Sequence, residues 1–157
     1  MKTILVISDT HGVKIKMAAA VRRFPEVDMI FHLGDTSRDA EYIRTLTNRP
    51  VYSVRGNCDF NSEAEAELVL SVEGVKFLLV HGHKQSVKSS LLGLKLYAQE
   101  KDVQAALFGH THIPTEQYAD GICLYNPGSL GEPRSYPATV GLITVDQGIL
   151  KMKTVKV

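Results

Sequence analysis

The sequence Ile4-Leu5-Val6-Ile7-Ser8-Asp9-Thr10-His11-Gly12 places a carboxylate and an imidazole at the end of an apolar run. Such a run is typical of a buried parallel strand, and the glycine that follows permits a sharp turn. Side chains two residues apart in an extended chain project to the same side, so Asp9 and His11 could converge on one metal ion. Taken alone, the motif is short enough to arise by chance, and a simple turn with an exposed histidine is the plainer interpretation.

The segments that follow alternate between helical and strand patterns. A helical apolar stripe runs over 13–24, and a strand is predicted over 29–33. A second helix, capped by Thr36 or Ser37, leads to a third strand over 50–54. This order of strand, helix, strand, helix and strand predicts a parallel α/β sheet.

The second half of the chain carries hairpin signals. Two apolar runs are separated by Glu73-Gly74, which is tight-turn chemistry. Ser89 or Ser90 can cap a helix that ends near Lys101. The predicted strands of this half cover 68–72, 75–80, 105–108, 122–125, 138–145 and 149–157.

The composition is that of an ordinary globular protein, and one domain over residues 1–157 is expected. Hydrophobic residues make up 44% and charged residues 22% of the chain, and the net charge is +1. No apolar run approaches the roughly 18 residues of a membrane span. Because the N-terminus also lacks a signal-peptide pattern, we expect a cytoplasmic protein with no membrane partner. Cys58 and Cys123 are expected to be free thiols.

Metal-ligating side chains follow five of the predicted strands, each where the strand ends. They are Asp9, His11, Asp35, Asn57, His81, His110 and His112. Ligands of an open α/β sheet bind outside the carboxyl ends of its strands, so these residues are expected to meet. Imidazole, carboxylate and amide groups without thiolate suit manganese, zinc, iron, cobalt or nickel better than calcium. Seven ligands exceed the needs of one catalytic ion, but they suit two ions that share a carboxylate.

Glycines adjoin these candidate ligands at Gly34, Gly56, Gly82 and Gly109. A glycine allows a sharp turn and a close approach of the backbone to an ion. An ordinary turn glycine is the alternative at each position.

Five short motifs, taken in order, resemble the motif set of the calcineurin-like metallophosphoesterase superfamily. They are Asp9-x-His11, Gly34-Asp35, Gly56-Asn57, His81-Gly82-His83 and Gly109-His110-Thr111-His112. In addition, Asn126-Pro127-Gly128-Ser129 with Pro133-Arg134 resembles the C-terminal signature of the small prokaryotic phosphodiesterase branch of that superfamily. The resemblance covers nearly the whole chain, and five motifs in order are far more specific than one.

The resemblance implies an α/β (α+β) fold, a four-layer αββα sandwich of two mixed β-sheets flanked by helices. It implies a first ion held by Asp9, His11 and His112, a second held by Asn57, His81 and His110, and Asp35 as the bridge. Manganese is the first expectation for both ions, with zinc, iron, nickel and cobalt as alternatives. Two such ions share a hydroxide that attacks a phosphate ester. The expected catalytic residues are Asp35, Asn57, His81 and Arg134, the last as a guanidinium that stabilises developing charge.

Three further side chains have alternatives. Larger enzymes of the superfamily have histidine after the asparagine, where this chain has Cys58-Asp59, so the general acid stays open. Cys58 itself is expected to be a packed small side chain and not a nucleophile. His32 is expected to orient a ligand, whereas His83 could face the site, the solvent or a supporting partner.

Small-molecule phosphodiesters are the expected substrates, because a monoester brings one more negative charge; monoesters stay open as further substrates. The same fold serves as a scaffold subunit in the retromer coat, but here all seven ligand positions hold competent side chains. A nuclease is the other alternative. The near-neutral charge and the lack of clustered cations argue against a nucleic-acid partner. A homodimer or a higher homo-oligomer stays open.

Overall fold

The computed structural model describes residues 1–157, and its ten strands form two five-stranded sheets. The strands are β1 (Lys2–Ile7), β2 (Met29–His32), β3 (Val51–Ser53), β4 (Glu67–Val72), β5 (Val75–Val80), β6 (Ala105–Leu107), β7 (Thr115–Ala119), β8 (Ile122–Asn126), β9 (Thr139–Asp146) and β10 (Ile149–Lys156). The helices are α1 (Lys14–Arg23), α2 (Asp39–Leu46) and α3 (Leu92–Glu100), with a short 3-10 turn at His83–Gln85. None of these helices has the length and apolar character needed to cross a membrane.

Both sheets are mixed. The first sheet has the order β10-β9-β1-β2-β3, in which β1, β2 and β3 run parallel while β9 and β10 pair antiparallel. The second has the order β4-β5-β6-β8-β7, with β5, β6 and β8 parallel and an antiparallel strand at each edge. In the first sheet Ile7 pairs with His32 and His32 with Ser53, so the three parallel strands end side by side.

The period-two alternation of the strands separates three hydrophobic cores. Ile4 and Val6 of β1 face the core between the two sheets, whereas Leu5 and Ile7 lie in the core that α1 and α2 cover. On the other side of the molecule, Leu78 of β5 belongs to a third core, beneath α3. The layers are therefore helices, sheet, sheet and helix, which confirms the four-layer sandwich that the resemblance implies.

Three local predictions need correction. Helix α2 begins at Asp39 without a side-chain cap, because the Ser37 hydroxyl bonds to Ser62 instead. At α3 the predicted role of serine is half right, since the Ser90 hydroxyl accepts the Leu92 amide while Leu91 is the cap residue. Strand β7 was not predicted. Its largely polar residues lack an apolar alternation, and its pairing with β8 defines it.

The two cysteines are free thiols, as predicted. Cys123 is buried in the core between the sheets. Cys58 is exposed, so the expectation that it packs in the interior is wrong. It lies in the irregular loop after β3, where no element covers it.

Candidate metal centre

The candidate ligands lie on five loops that meet where the two sheets adjoin. The loops after β1 and β2 are joined by a bond from the Asp9 amide to the Gly34 carbonyl of 3.0 Å. The loops after β5 and β6 are joined likewise, from the Gly109 amide to the His81 carbonyl, at 2.9 Å. The expectation of one open sheet is therefore wrong in its geometry. Three loops come from the first sheet and two from the second, because both sheets end their parallel strands at the same edge.

Asp9, His11 and His112 form a first group whose ligand atoms all lie within 4.8 Å of one another. The Asp9 Oδ1 and His11 Nε2 atoms are buried and have no hydrogen-bond partner. Buried polar atoms of proteins nearly always have a hydrogen-bond partner. A metal ion bound in the first group would satisfy both of these unpaired atoms. His112 Nδ1 lies 2.7 Å from the Glu132 carbonyl, to which it donates. The other ring nitrogen, Nε2, then presents a lone pair to the group.

Asp35, His81 and His110 form a second group with the same 4.8 Å limit. His81 Nδ1 donates to the Leu33 carbonyl at 2.8 Å, which leaves Nε2 as the ligand atom. That Nε2 atom lies 3.2 Å from Asp35 Oδ2 and 3.1 Å from Asn57 Oδ1. Asn57 therefore joins this group through its amide oxygen.

Asp9 connects the two groups. Its Oδ1 atom lies 3.3 Å from His112 Nε2 in the first group and 3.9 Å from His81 Nε2 in the second. The structure thus brings all seven predicted ligands together. The carboxylate of Asp35 lies with the second group, and its predicted role as the bridge between two ions stays a prediction.

The site is electrostatically prepared for cations. Burial opposes ionisation of Asp35, but the hydrogen bond and charge of His81, together with the bonds from Cys58, outweigh burial and hold the pKa of this carboxyl well below its usual range. Burial likewise disfavours charge on His81, yet its bonds and proximity to Asp35 and Asp9 raise its pKa. For His110, burial dominates and the charges of His81 and Lys88 add to it, so its pKa falls to about 4. The raised pKa of His81 favours its charged form beside the two carboxylates, where a bound metal ion would supply the positive charge instead.

Five of the seven candidate ligands have left-handed backbone conformations. Their φ angles are 52° at Asp9, 44° at His11, 42° at Asp35, 68° at His110 and 60° at His112. Positive φ is uncommon for residues other than glycine, and such conformations cluster at functional sites. The loops therefore hold five of the candidate ligands in a backbone conformation that residues other than glycine seldom adopt.

Two glycines are required by close packing at the site, as the sequence analysis expected. A Cβ atom on Gly56 would clash with Asp35 Oδ1, and one on Gly109 would clash with Ser8 Oγ and approach Asp9 Oδ2 to 2.7 Å. Any larger residue would displace a candidate ligand.

Asp59 organises the loops after β2 and β3, a role that the sequence analysis did not assign. Its Oδ2 atom accepts the amides of Gly56 at 2.6 Å and Asp35 at 3.1 Å, and its Oδ1 accepts the amide of Ser37 at 2.6 Å. The only sequence signal was its position directly after Asn57-Cys58. Without the loop geometry, that position does not distinguish a supporting carboxylate from an exposed one.

The turn at Asn126-Pro127-Gly128-Ser129 is hydrogen-bonded to two of the loops that carry candidate ligands. Asn126 Nδ2 donates to the Gly109 carbonyl at 2.9 Å and to Thr111 Oγ1 at 3.0 Å. Ser129 Oγ donates to the Asp9 carbonyl at 2.9 Å. The turn therefore fixes the loops after β1 and β6 and makes no contribution to the ligand set itself.

The two other histidines differ in their surroundings. Both ring nitrogens of buried His32 are engaged, Nε2 with Thr10 Oγ1 at 2.9 Å and Nδ1 with the Gly34 amide at 3.3 Å. His32 is thus a supporting residue, as expected, and burial lowers its pKa to about 4. The His83 ring lies 5.6 Å from His81 and 6.1 Å from His110, and its Nδ1 is buried without a partner. His83 therefore faces the second group.

Cys58 and Arg134 lie beside the ligand groups. The Cys58 amide donates to Asp35 Oδ1 at 3.0 Å. Although Cys58 is exposed as a residue, partial desolvation of its thiol and the nearby Asp35 charge raise the pKa of that thiol to about 11. The thiol is therefore protonated at neutral pH. Arg134 is exposed, and it forms no ion pair or hydrogen bond with the protein. It lines a cavity of about 350 Å³ together with Thr111, which lies between two of the ligands.

The chain resembles known proteins along nearly its whole length. A family model described as the calcineurin-like phosphoesterase superfamily domain matches residues 1–148. The probable metallophosphoesterase YsnB of Bacillus subtilis (strain 168) is 35% identical over 132 residues, which cover 83% of this chain and 76% of that protein. Phosphodiesterase MJ0936 of Methanocaldococcus jannaschii is 25% identical over 159 residues, covering 90% of this chain and 92% of that protein.

Solved structures show the same fold. A predicted phosphoesterase from Streptococcus pneumoniae TIGR4 superposes with a TM-score of 0.85 at 28% identity, covering 99% of this chain and 89% of that one. Vps29 of Entamoeba histolytica, crystallised with Zn²⁺, has a TM-score of 0.75 at 21% identity, covering 98% of each chain. The second likeness shows the fold alone. The family model spans most of the chain and YsnB matches well over half of it, so this chain belongs to the calcineurin-like phosphoesterase superfamily.

Proposed function

We propose that this protein hydrolyses phosphodiesters, and monoesters more slowly, with two divalent metal ions held by the loops after β1, β2, β3, β5 and β6. The observation that carries the proposal is the pair of ligand groups connected through Asp9 Oδ1. Manganese is the first candidate for both ions, and zinc, iron, nickel and cobalt are alternatives with the same ligand preferences. Residues 1–157 form one domain in this proposal, because both sheets share one core.

The donor set fits such ions. Asp9 Oδ1 and His11 Nε2 have no hydrogen-bond partner in the protein, and an ion in the first group would satisfy both. In the second group, the Nε2 atom of His81 lies 3.2 Å from the Asp35 carboxylate and 3.1 Å from the amide oxygen of Asn57. These atoms are close enough for one ion to bind all three. No thiolate belongs to either group, which argues against a structural zinc site.

When bound, two ions supply a hydroxide at neutral pH and neutralise charge on the phosphoryl oxygens. The protein's contribution is positioning. The carbonyls of Leu33 and Glu132 fix the tautomers of His81 and His112, and Asp59 fixes the loops that carry Asp35 and Asn57. The guanidinium of Arg134 has no acceptor within the protein and is available to a phosphoryl oxygen.

The site offers only a weak general acid to protonate the leaving group. The Cys58 thiol occupies the place of the histidine found in larger enzymes, and a pKa of about 11 makes it a weak acid. Aryl esters, whose leaving groups are acidic, should therefore react much faster than alkyl esters.

The ligand set also favours diesters over monoesters. The carboxylates of Asp9 and Asp35 lie at the centre of the site, and Glu132 Oε2 lies 3.9 Å from His11 Nε2. These carboxylates offset part of the charge of two bound ions, and the protein supplies few further cations, so the additional negative charge of a monoester finds few partners beyond the metals.

The test is a panel of aryl and alkyl phosphomonoesters and phosphodiesters, assayed with each of the five metals. We expect aryl diesters to be hydrolysed fastest and Asn57→Ala and His81→Ala each to lose about 10–100-fold or more of the metal-dependent rate. Asn48→Ala, an exposed asparagine outside the site, is the matched control and should keep full activity.

Full activity in both site variants would contradict the assignment of two metals, and equal rates for aryl and alkyl esters would contradict the account of the leaving group. Binding of metal without hydrolysis of any ester would favour the scaffold alternative. Cleavage of single-stranded nucleic acid that weakens steeply with salt would favour a nuclease.

A further inference from the structure

We propose that the cavity between the 3-10 turn and the loop after β6 binds an aromatic arm of the phosphodiester substrate. We call this cavity the arm groove; its lining includes Val87, Lys88, Phe108, Ile113 and Arg134, and its volume is about 350 Å³. The inference rests on the proposed function and specifies its substrate class, namely a phosphodiester in which at least one ester oxygen carries an aryl ring or a nucleobase.

The arm groove borders the loop that carries two of the candidate ligands. Thr111 belongs to its lining and lies between the ligands His110 and His112. The Thr111 hydroxyl accepts the side-chain amide of Asn126 at 3.0 Å and the Ile113 amide at 3.2 Å. These bonds tie one wall of the groove to the loop that holds the two ligands, so an ester arm of a phosphate bound at the metals would reach this wall directly.

The floor and one outer wall of the arm groove are apolar. Phe108 is fully buried and Val87 is 5% exposed, and both belong to the core under α3. Ile113 forms an outer wall and is 41% exposed. An apolar occupant would remove this surface from water.

The rim of the arm groove is positively charged. Lys88 and Arg134 both line it, and neither forms an ion pair or a hydrogen bond within the protein. No acidic residue lines the groove. An apolar floor next to two unpaired cations suits a group that is apolar itself and is attached to an anion, as the arm of a phosphodiester is.

A larger cavity beside α2 lacks this character. It has a volume of about 650 Å³, and its lining includes Arg38 and Arg44 but also Glu41, Glu63 and Glu65. Arg44 is already paired with Glu41. Three carboxylates would repel the arm of an anionic ester, so the chemistry of the substrate favours the arm groove over this cavity.

The test measures binding separately from hydrolysis, because acidic leaving groups alone would make aryl esters react faster. Protein loaded with zinc, a diamagnetic ion, is titrated with methyl phenylphosphonate and with methyl methylphosphonate, two monoanions that differ in the aryl group, and the dissociation constants are read from NMR shifts. A thymidine methylphosphonate is the third probe, which distinguishes a nucleobase from a simple ring. We expect the phenyl compound to bind at least tenfold more tightly than the methyl compound.

Two variants and one control separate the apolar wall from the charge. Ile113→Ala should weaken binding of the phenyl compound about fivefold and leave the methyl compound within twofold. Lys88→Gln should weaken both compounds by a similar, salt-dependent factor of about three. Ile149→Ala, which truncates a 63% exposed isoleucine at the start of β10, should change neither.

Equal binding of the phenyl and methyl compounds, or equal effects of Ile113→Ala and Ile149→Ala, would overturn the assignment of the arm groove. Metal-dependent hydrolysis without aryl-selective binding would leave the proposed function standing and remove the groove. Aryl-selective binding that depends on Ile113, in a protein that hydrolyses no ester with any metal, would support the groove and refute the proposed function.

Discussion

The candidate ligands are individual residues whose backbone conformation differs from their intrinsic preference. Asp9 and His11 both have positive φ, and neighbouring groups hold them there. The Asp9 carbonyl accepts the Ser129 hydroxyl at 2.9 Å and the Gly131 amide at 3.0 Å. Each positive φ at a residue other than glycine costs on the order of 1–3 kcal/mol, so surrounding bonds must over-determine it. A sequence identifies such residues as candidate ligands but carries no sign of this conformation.

Gly109→Ala tests how closely the residues around the candidate ligands are packed. The added Cβ would clash with Ser8 Oγ and lie 2.7 Å from Asp9 Oδ2, so Asp9 must move. We expect a loss of about 1–3 kcal/mol in the free energy of unfolding and a loss of tenfold or more in manganese affinity. Urea denaturation measures the first quantity, and calorimetric titration measures the second.

Gly121→Ala is the matched control for this substitution. Gly121 has a φ of +78° and no atom within 4 Å of a new Cβ, so only the backbone preference changes. This variant should lose about 1 kcal/mol of stability and keep its metal affinity. If Gly109→Ala binds manganese as tightly as Gly121→Ala does, the close packing against Asp9 has no bearing on the metal centre.

At the level of elements, the strand ends were the predictable feature. Continuous apolar runs marked β1, β2, β5 and β6, and each is followed by a candidate ligand, because parallel strands deliver their carboxyl ends to one edge. Local patterns did not predict elements that depend on distant partners. The Ser37 hydroxyl bonds to Ser62 and caps no helix, and β7 exists through its pairing with β8. The Asp59 carboxylate accepts three backbone amides only because the fold brings two loops together.

Asp28 offers a pH-dependent test of how β1 and β2 are joined. Its Oδ2 accepts the Thr3 amide at 2.8 Å and its Oδ1 accepts Lys2 Nζ at 3.0 Å, and these bonds lower the pKa of Asp28 below 3.8. A lowered pKa means that the folded state favours the ionised form. The resulting stability is fully present above about pH 4 and is lost as the pH falls through the lowered pKa.

Asp28→Asn should therefore lower the free energy of unfolding by about 1 kcal/mol at pH 7 and by progressively less below pH 4. Chemical denaturation at a series of pH values between 2 and 7 measures the difference. Glu26→Gln is the control, since Glu26 is exposed in the same turn and makes no side-chain bond. A difference between wild type and Asp28→Asn that stays constant over this range would show that the charge of Asp28 is not the cause.

For the whole molecule, the essential feature is the seam between the two sheets, where the loops after β1, β2 and β3 meet those after β5 and β6. The residues alone predicted one parallel sheet, whereas the resemblance to a family implied two. The correct architecture brings β5 and β6 against the ends of β1, β2 and β3 through bonds such as that from His81 Nδ1 to the Leu33 carbonyl. Such contacts join parts of the chain that are 48 residues apart, and no local pattern of residues encodes them. Metal binding at this seam should consequently stabilise the entire fold.

Thermal unfolding with and without metal tests this coupling. A ligand at one hundred times its dissociation constant stabilises a folded protein by about 2.7 kcal/mol. A chain of this size gains about 2–4 °C in Tm for each kcal/mol, so one occupied site should raise the Tm by about 5–10 °C and two sites by about twice as much.

Manganese should fill both sites and produce the larger of these two shifts. Asn57→Ala, which alters only the second group, should retain about half of that shift. Asp9→Asn should abolish nearly all of it, because Asp9 Oδ1 lies 3.3 Å from His112 Nε2 and 3.9 Å from His81 Nε2 and so touches both groups. Circular dichroism of each variant without metal establishes that it is folded, and calcium, which binds poorly to imidazole ligands, is the control ion. An equal shift in wild type and folded Asp9→Asn would show that the ions bind elsewhere.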